Sequence, residues 1–354
     1  MSLILPRRNR PLKLHAGDWV VVRSKEEILA TLDARGRLDG LPFQPEMLAV
    51  CGQRLRVFKV AHKTCDTIHK TGGRRMLDTV HLEGIRCDGS AHGGCQADCL
   101  LFWKTAWLRR TDESPSTEHA PTARERVRRA EELVNRSVRD SPDSHDPVWM
   151  CQATELFNAT GPLKWWDLRQ YIQDVTTRNH SAWHMLKLLV AAGYRNLVHL
   201  GVGYRVLVAL YDGFQRLRGG LPFPVSDGPI DIGKPTPQGS LGLRPGDWVE
   251  VKTADEIRAT LNRTGFNRGM RFDVEMLLFC GGRFRVQQRV ERIINEQTGR
   301  MLPMKNPCIQ LDDVYCRAEC SEMRLGCPRA IKSYWREIWL RRIDEGQPRT
   351  SSSA

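Results

Sequence analysis

What the chain lacks narrows its class before anything present is read. It has no apolar run fit to cross a bilayer. The longest, Met185 to Phe214, is broken by Lys187, Arg195, Asn196, His199 and Arg205, each costly to bury in hydrocarbon. The opening Met1-Ser2-Leu3-Ile4-Leu5-Pro6-Arg7-Arg8 has too short an apolar stretch for the core of a secretory leader, so a cytoplasmic protein with reduced or metal-bound cysteines is expected. There is no Gly-x-x-x-x-Gly-Lys-Ser/Thr phosphate loop, no dinucleotide fingerprint after a strand and no Gly-x-Ser-x-Gly elbow. Gly201-Val202-Gly203 falls inside a helical pattern, the wrong context for a nucleotide. Nor is there a polybasic tail. The net charge of +13 is spread along the 354 residues, a distribution that suits solubility better than a nucleic-acid footprint.

What is present is a repeat. Gly17-Asp18-Trp19-Val20 returns as Gly246-Asp247-Trp248-Val249, and the offset of 229 holds through Glu27/Glu256, Thr31/Thr260, Phe43/Phe272, Glu46/Glu275, Cys51/Cys280 and Arg56/Arg285. Near the end the offset becomes 232, where Trp103 and Trp107-Leu108-Arg109-Arg110 meet Trp335 and Trp339-Leu340-Arg341-Arg342. The chain therefore holds two diverged copies of one β-rich module, at 11–110 and 241–343. Period and punctuation predict a strand at Trp19–Arg23, a helix from Lys25 to Leu32 capped by Ser24, and strands at Arg54–Val60, Met76–Leu82 and Ala106–Arg109. Short strands with one inserted helix suggest an α+β chain with two small SH3-like barrels. Between the copies, 111–147 reads as a charged linker whose stretch Ala123–Arg139 is a solvated helix, 148–218 as a helical middle region and 219–240 as a Gly/Pro linker.

The Gly-Asp-Trp-Val openings, the Cys-Gly-x-Arg-x-Arg-Val strands, the ending Trp335-Arg336-Glu337-Ile338-Trp339-Leu340, and the central Cys151-Gln152-Ala153-Thr154-Glu155-Leu156 and Trp165-Trp166-Asp167 together resemble an uncharacterised family of bacterial proteins. The resemblance covers most of the chain and implies no activity.

Chemistry is expected first at the cysteines. Cys51 and Cys280 read as small buried hydrophobes. Each copy holds four more: Cys65, Cys87, Cys95, Cys99 and Cys308, Cys316, Cys320, Cys327. Four thiolates suit a closed structural zinc site, and Cys95-x₃-Cys99 and Cys316-x₃-Cys320 have usable spacings. Against this, neither copy has a Cys-x₂-Cys pair. His62, His69, His81 or His92 could replace a sulfur in the first copy, whereas the second copy has no histidine. Cys65 beside His62 and His69 is the one local candidate for an activated thiol. Glu46 and Glu275 lie near Arg54/Arg56 and Arg283/Arg285, which suggests loop-orienting ion pairs, and these four arginines are also expected among the binding residues. Trp19 and Trp107 are expected in the core. Trp103 and Trp335, at the edge of the cysteine loops, are expected as surface binding rings, and Trp165-Trp166 as a contact for a partner or membrane. Residues 185–218 fit either a buried helix pair or a helix lying in a lipid interface.

These features favour a non-enzymatic binding or scaffold protein, with cysteine clusters bracing two modules against a protein or peptide partner. The alternatives are nucleic-acid binding through basic barrel faces and a metal- or thiol-dependent biosynthetic enzyme.

Overall fold

The structure, a computed structural model, describes residues 12–111, 127–135 except 129 and 133, and 146–343 except 202, 219–222, 225, 322 and 323. Much of the charged stretch 123–139 and part of the linker 219–240 thus lie outside the described residues. The chain is α+β, with helices and two curled sheets. It divides into two compact units. The first takes the residues up to Met185 together with Ile294–Met301 and Gly326–Arg329. The second takes Leu186–Ile293, Leu302–Leu325 and the residues from Ala330 on.

The first unit carries β1 (Trp19–Val22), β2 (Arg37–Leu38), β3 (Leu41–Pro42), β4 (Arg54–Val60), β5 (Lys63–Cys65), β6 (Gly73–Arg75), β7 (Thr79–Arg86), β8 (Leu100–Lys104), β9 (Leu108–Arg110) and β10 (Gly161–Leu163). Its main sheet runs β8-β7-β4-β1-β9, and β10-β6-β5 form a smaller one. Helix α1 (Lys25–Leu29) starts at a reciprocal cap. Ser24 Oγ accepts the Glu27 N–H at 3.2 Å, and the Glu27 carboxylate accepts the Ser24 N–H at 2.9 Å. Such a cap is worth about 1 kcal/mol. The helix stops short of Leu32 because Thr31 turns its hydroxyl onto the Ile28 carbonyl, 2.7 Å away, while accepting the Trp107 indole N–H at 3.1 Å. The strand expected from Met76 begins only at Thr79: Met76 plugs the core, and Asp78 adopts a left-handed φ of 49°. Val20, Val22, Ile28, Phe43, Met47, Val57, Trp103 and Trp107 form that core. Ala130 and Val134 are buried in it too, so this part of the charged stretch is docked rather than solvated. Helix α2 (Arg169–Thr176) completes the unit, and α3 (Ala182–His199) begins in it.

The second unit holds the rest of α3, α4 (Tyr204–Arg218), β11 (Trp248–Val251), α5 (Ala254–Arg258), β12 (Phe266–Asn267), β13 (Met270–Arg271), most of β14 (Arg283–Ile294) and β15 (Met301–Leu311), and β16 (Leu340–Arg342). Its main sheet runs β15-β14-β11-β16. The duplication is visible atom by atom. Thr253 and Glu256 rebuild the helix cap, and the Trp339 indole N–H donates to Thr260 Oγ1 at 2.9 Å, as Trp107 does to Thr31. Trp19 pairs with Arg56 across β1 and β4, and Trp248 pairs with Arg285 across β11 and β14. Val20 faces Arg110 where Val249 faces Arg342, so the three-residue insertion is absorbed without changing the register of the closing strand. Among the described residues no helix is long and apolar enough to cross a membrane. The helices of the middle region are not a buried pair, since α4 has no buried residue.

Candidate metal centre in the first module

Glu46 sits in the first turn of the 3-10 helix Pro45–Val50, started by a proline that needs no donor there. Cys87 follows β7, and the Cys87 N–H donates to the Cys99 carbonyl at 2.8 Å, closing the ends of the cysteine loop. Inside that loop the His92 and Gly94 N–H groups both donate to the Gly89 carbonyl, at 2.9 and 3.0 Å. Gly89 has φ +73°, and a Cβ there would meet the Cys95 carbonyl oxygen at 1.9 Å, so only glycine permits this winding. The loop delivers a buried His92 against Glu46 and Cys87.

Three potential ligand atoms converge. His92 Nδ1 lies 2.7 Å from Glu46 Oε1 and 4.0 Å from Cys87 Sγ, and Cys87 Sγ lies 3.5 Å from the same carboxylate oxygen. Gln44 Nε2 donates to Glu46 Oε2 at 3.4 Å and to Cys87 Sγ at 3.6 Å. The other ring nitrogen, Nε2, is 3.2 Å from the Met150 carbonyl, which can only accept, so its proton is assigned there. Nδ1 of the neutral ring then turns a lone pair toward the carboxylate and the sulfur. A cation placed there would resolve that convergence, and the Met150 contact is of the kind that orients ligating histidines. Burial tends to raise the Glu46 pKa, but the His92 hydrogen bond and charge outweigh it and hold the carboxyl below its ordinary value. Burial, and then the Glu46 carboxylate, push the Cys87 thiol far up.

The donor set fits zinc. Sulfur, imidazole and carboxylate are its usual ligands, and a thiolate with a carboxylate neutralises its charge in a buried site. Beside the three donors is a cavity of about 40 Å³ lined by Cys95, Cys99, Cys151 and Gln152 as well as Cys87 and His92. That is room for two or three waters. Burial raises the thiols of Cys95 and Cys99 and pushes Cys151 up to about 11, so these sulfurs are protonated and poorly nucleophilic at neutral pH.

None of the eleven cysteines is in a disulfide, and the four-sulfur sets do not assemble. Among the described residues Glu46, Cys87 and His92 are the one group of three that could hold an ion. Cys65 is buried in β5, and its neighbours are engaged elsewhere: His62 Nε2 lies 3.4 Å from Asp174 and 3.1 Å from the Gln170 carbonyl, and His69 stands edge-on to Phe157. Cys95 Sγ accepts the Ile294 N–H at 3.3 Å, and Cys99 lines the cavity wall. In the second module Cys308 Sγ donates to the Val290 carbonyl at 3.6 Å, and burial with the Glu275 carboxylate pushes Cys320 up to about 12. Cys316 is half-buried, its N–H donating to the Ile331 carbonyl, and Cys327 is buried in the first unit.

The aromatic expectations need correction. Trp103 and Trp335 are wholly buried, each edge-on at 6.2 Å to its module's phenylalanine, Phe43 or Phe272. Their strand or bridge positions face inward, so they are core and not a surface platform. Trp19 is the reverse: 49% exposed, with the Arg54 guanidinium 4.6 Å over its ring. The arginines do not orient the glutamates. Arg56 reaches Glu83 and the Gly17 carbonyl, Arg283 reaches Glu250, and Arg285 reaches the Gly246 carbonyl and lies over Trp248. Trp165 and Trp166 are exposed, as expected. The contribution of the central segment went unread. Gln152 donates to the Phe102 and Pro42 carbonyls at 2.9 and 3.1 Å and accepts the Phe102 N–H at 2.8 Å, straddling β8 and fixing Cys151 in the cavity wall. Its position directly after Cys151 in the Cys151–Leu156 motif does not by itself reveal this role.

No protein-family model, no curated protein and no solved structure matches this chain.

Proposed function

We propose that the chain is a non-enzymatic binding protein of two SH3-like modules, the first of which is braced by one structural zinc ion held by Glu46, Cys87 and His92. The observation that carries this reading is the convergence of Glu46 Oε1, Cys87 Sγ and His92 Nδ1, with the opposite ring nitrogen held by Met150. The small cavity beside the three donors supports a structural role, because a substrate of ordinary size does not fit there. The SH3-like reading is supported in each module by a curled sheet whose last strand follows a one-turn 3-10 helix, Thr105–Trp107 and Glu337–Trp339. Exposed Trp165 and Trp166, in edge-to-face contact at 5.7 Å, and the Arg54-covered Trp19 are the rings best placed to meet a protein or peptide partner.

The test is metal content of the full chain purified under reducing conditions. One zinc per chain is expected, lost in Cys87→Ser and in His92→Ala, and retained in a variant with Cys308, Cys316 and Cys320 all changed to serine. Loading should release the Cys87 proton near neutral pH, because burial keeps that thiol protonated in the metal-free chain. A metal-free chain that takes up no zinc at micromolar concentration, or undiminished zinc in Cys87→Ser, overturns the assignment.

A further inference from the structure

Among the described residues, the second unit exposes a large apolar surface. On α3 the residues Leu188, Ala192 and Val198 are buried, whereas Leu186, Val190 and Leu197, continued by Leu200, form a second stripe that is 49–73% exposed. A helix that only had to cover a core would need one apolar stripe. Helix α4 rests on α3 through its half-buried side. Tyr194 Oη donates to the Leu207 carbonyl at 2.6 Å, and the Tyr194 and Tyr211 rings stack at 5.6 Å. On α4, Val206, Leu210, Phe214 and Leu217 are 54–88% exposed. Their steps of four, four and three keep them within one sector of the helix. No monomeric surface gains from exposing so many large side chains in a row.

The charge on the hairpin is one-sided. Arg205, Arg216 and Arg218 are exposed beside the α4 stripe, and Asp212 is the only acid between residues 186 and 218. Its carboxylate is occupied by the Phe223 N–H at 2.6 Å. An apolar face edged by arginines and without an exposed acid matches the boundary of an anionic bilayer, where side chains enter the acyl region and guanidinium groups meet phosphates. A symmetric pairing with a second copy would set these arginines against each other. We propose that the α3–α4 hairpin of the second unit docks the protein on an anionic membrane surface. This docking lies in the interface plane, since neither helix qualifies as a span. It does not depend on the zinc assignment.

The full chain tests this by co-sedimentation with vesicles of phosphatidylcholine alone and of phosphatidylcholine with about 30 mol% phosphatidylserine. Binding to the anionic vesicles is expected to exceed binding to the neutral ones by about tenfold or more and to fall with added salt. Leu210→Glu with Phe214→Glu places charges on exposed positions, which leaves the fold intact, and should abolish binding. Arg205→Glu with Arg216→Glu should remove the preference for phosphatidylserine. Unchanged circular dichroism in both variants excludes unfolding as the cause. No sedimentation with anionic vesicles at low salt, or full binding by the Leu210→Glu/Phe214→Glu chain, overturns the proposal. So does a solution dimer that this double variant dissociates, because the stripe would then belong to a second copy.

Discussion

Glu46 and Glu275 occupy the same place in two copies of one module, and they have been put to different use. Glu46 meets a histidine and a thiol. Glu275 is buried and accepts three consecutive backbone N–H groups, those of Glu319, Cys320 and Ser321, at 3.0, 2.8 and 2.8 Å. In the first copy the loop carries its donors on side chains, so the carboxylate can serve an ion. In the second the loop offers its backbone, so the same carboxylate ties the loop down without one. The duplicated scaffold kept an acid in the first turn of a 3-10 helix because a long loop needs a tether there. Only the tether's chemistry diverged.

The largest effect should separate the two glutamates outright. Glu46→Gln keeps the shape but weakens a cation site, and zinc affinity should fall about 100-fold or more, while Glu275→Gln leaves zinc content unchanged. Equal zinc loss in both variants, followed by competition with a chromophoric chelator, would break the comparison. Next, Glu275→Ala strands three loop donors and should cost the second unit about 2–3 kcal/mol in urea unfolding, whatever the zinc concentration. The third effect is the sign of the pH response. Burial raises the Glu275 pKa above 4.5 despite its three donors and Arg324 nearby, so its contribution is full below 4.5 and lost as pH rises through the folded value. In the first unit Asp66 behaves oppositely. Burial opposes the shift, but the Thr71 hydroxyl and the N–H groups of His69, Thr71 and Ile68 lower it to about 2, so its contribution is full above 3.8 and lost between there and about 2. Hydrogen exchange at 319–321 should therefore slow on moving from pH 7 to 4.5, after correction for intrinsic rates, and exchange at 68–71 should quicken only below about pH 4. The smallest effect is a control. Cys51 and Cys280 each point Sγ at a carbonyl 3.9 Å away, Met47 and Met276, so Cys→Ala should cost both modules the same, about 1 kcal/mol or less. A marked inequality in unfolding midpoints would show that the modules differ beyond their loops.

The scaffold was legible because it is written twice. Ser24/Glu27 and Thr253/Glu256, Phe43 and Phe272, and the closing tryptophans hold the same local roles in both copies. The site was half legible. Cys87 and His92 stood out as donors, and Glu46 as a repeated acid, but its partner was misjudged because Arg54 and Arg56 are close in sequence and lie on a strand whose polar side faces away. Spacing also grouped Cys65 with Cys87 and Cys99, although β5 takes it into a different sheet. Trp103 and Trp335 were misplaced because the period of a strand cannot be read across the irregular end of a loop. The part of Gln152 could not be read at all, since its hydrogen bonds reach residues 50 and 110 positions away.

The first unit is discontinuous in the gene's order of reading. Arg329 is buried in it, its guanidinium bonded to Thr67 Oγ1 at 2.7 Å and to Glu296 at 2.9 Å. A ribosome that has finished the strand ending at Arg110 must still translate more than 200 codons, on the order of 10–40 s at 5–20 residues per second, before that arginine exists. The first unit therefore stays unfinished until Arg329 is made, and a nascent chain stalled before it lacks the guanidinium that holds Thr67 and Glu296.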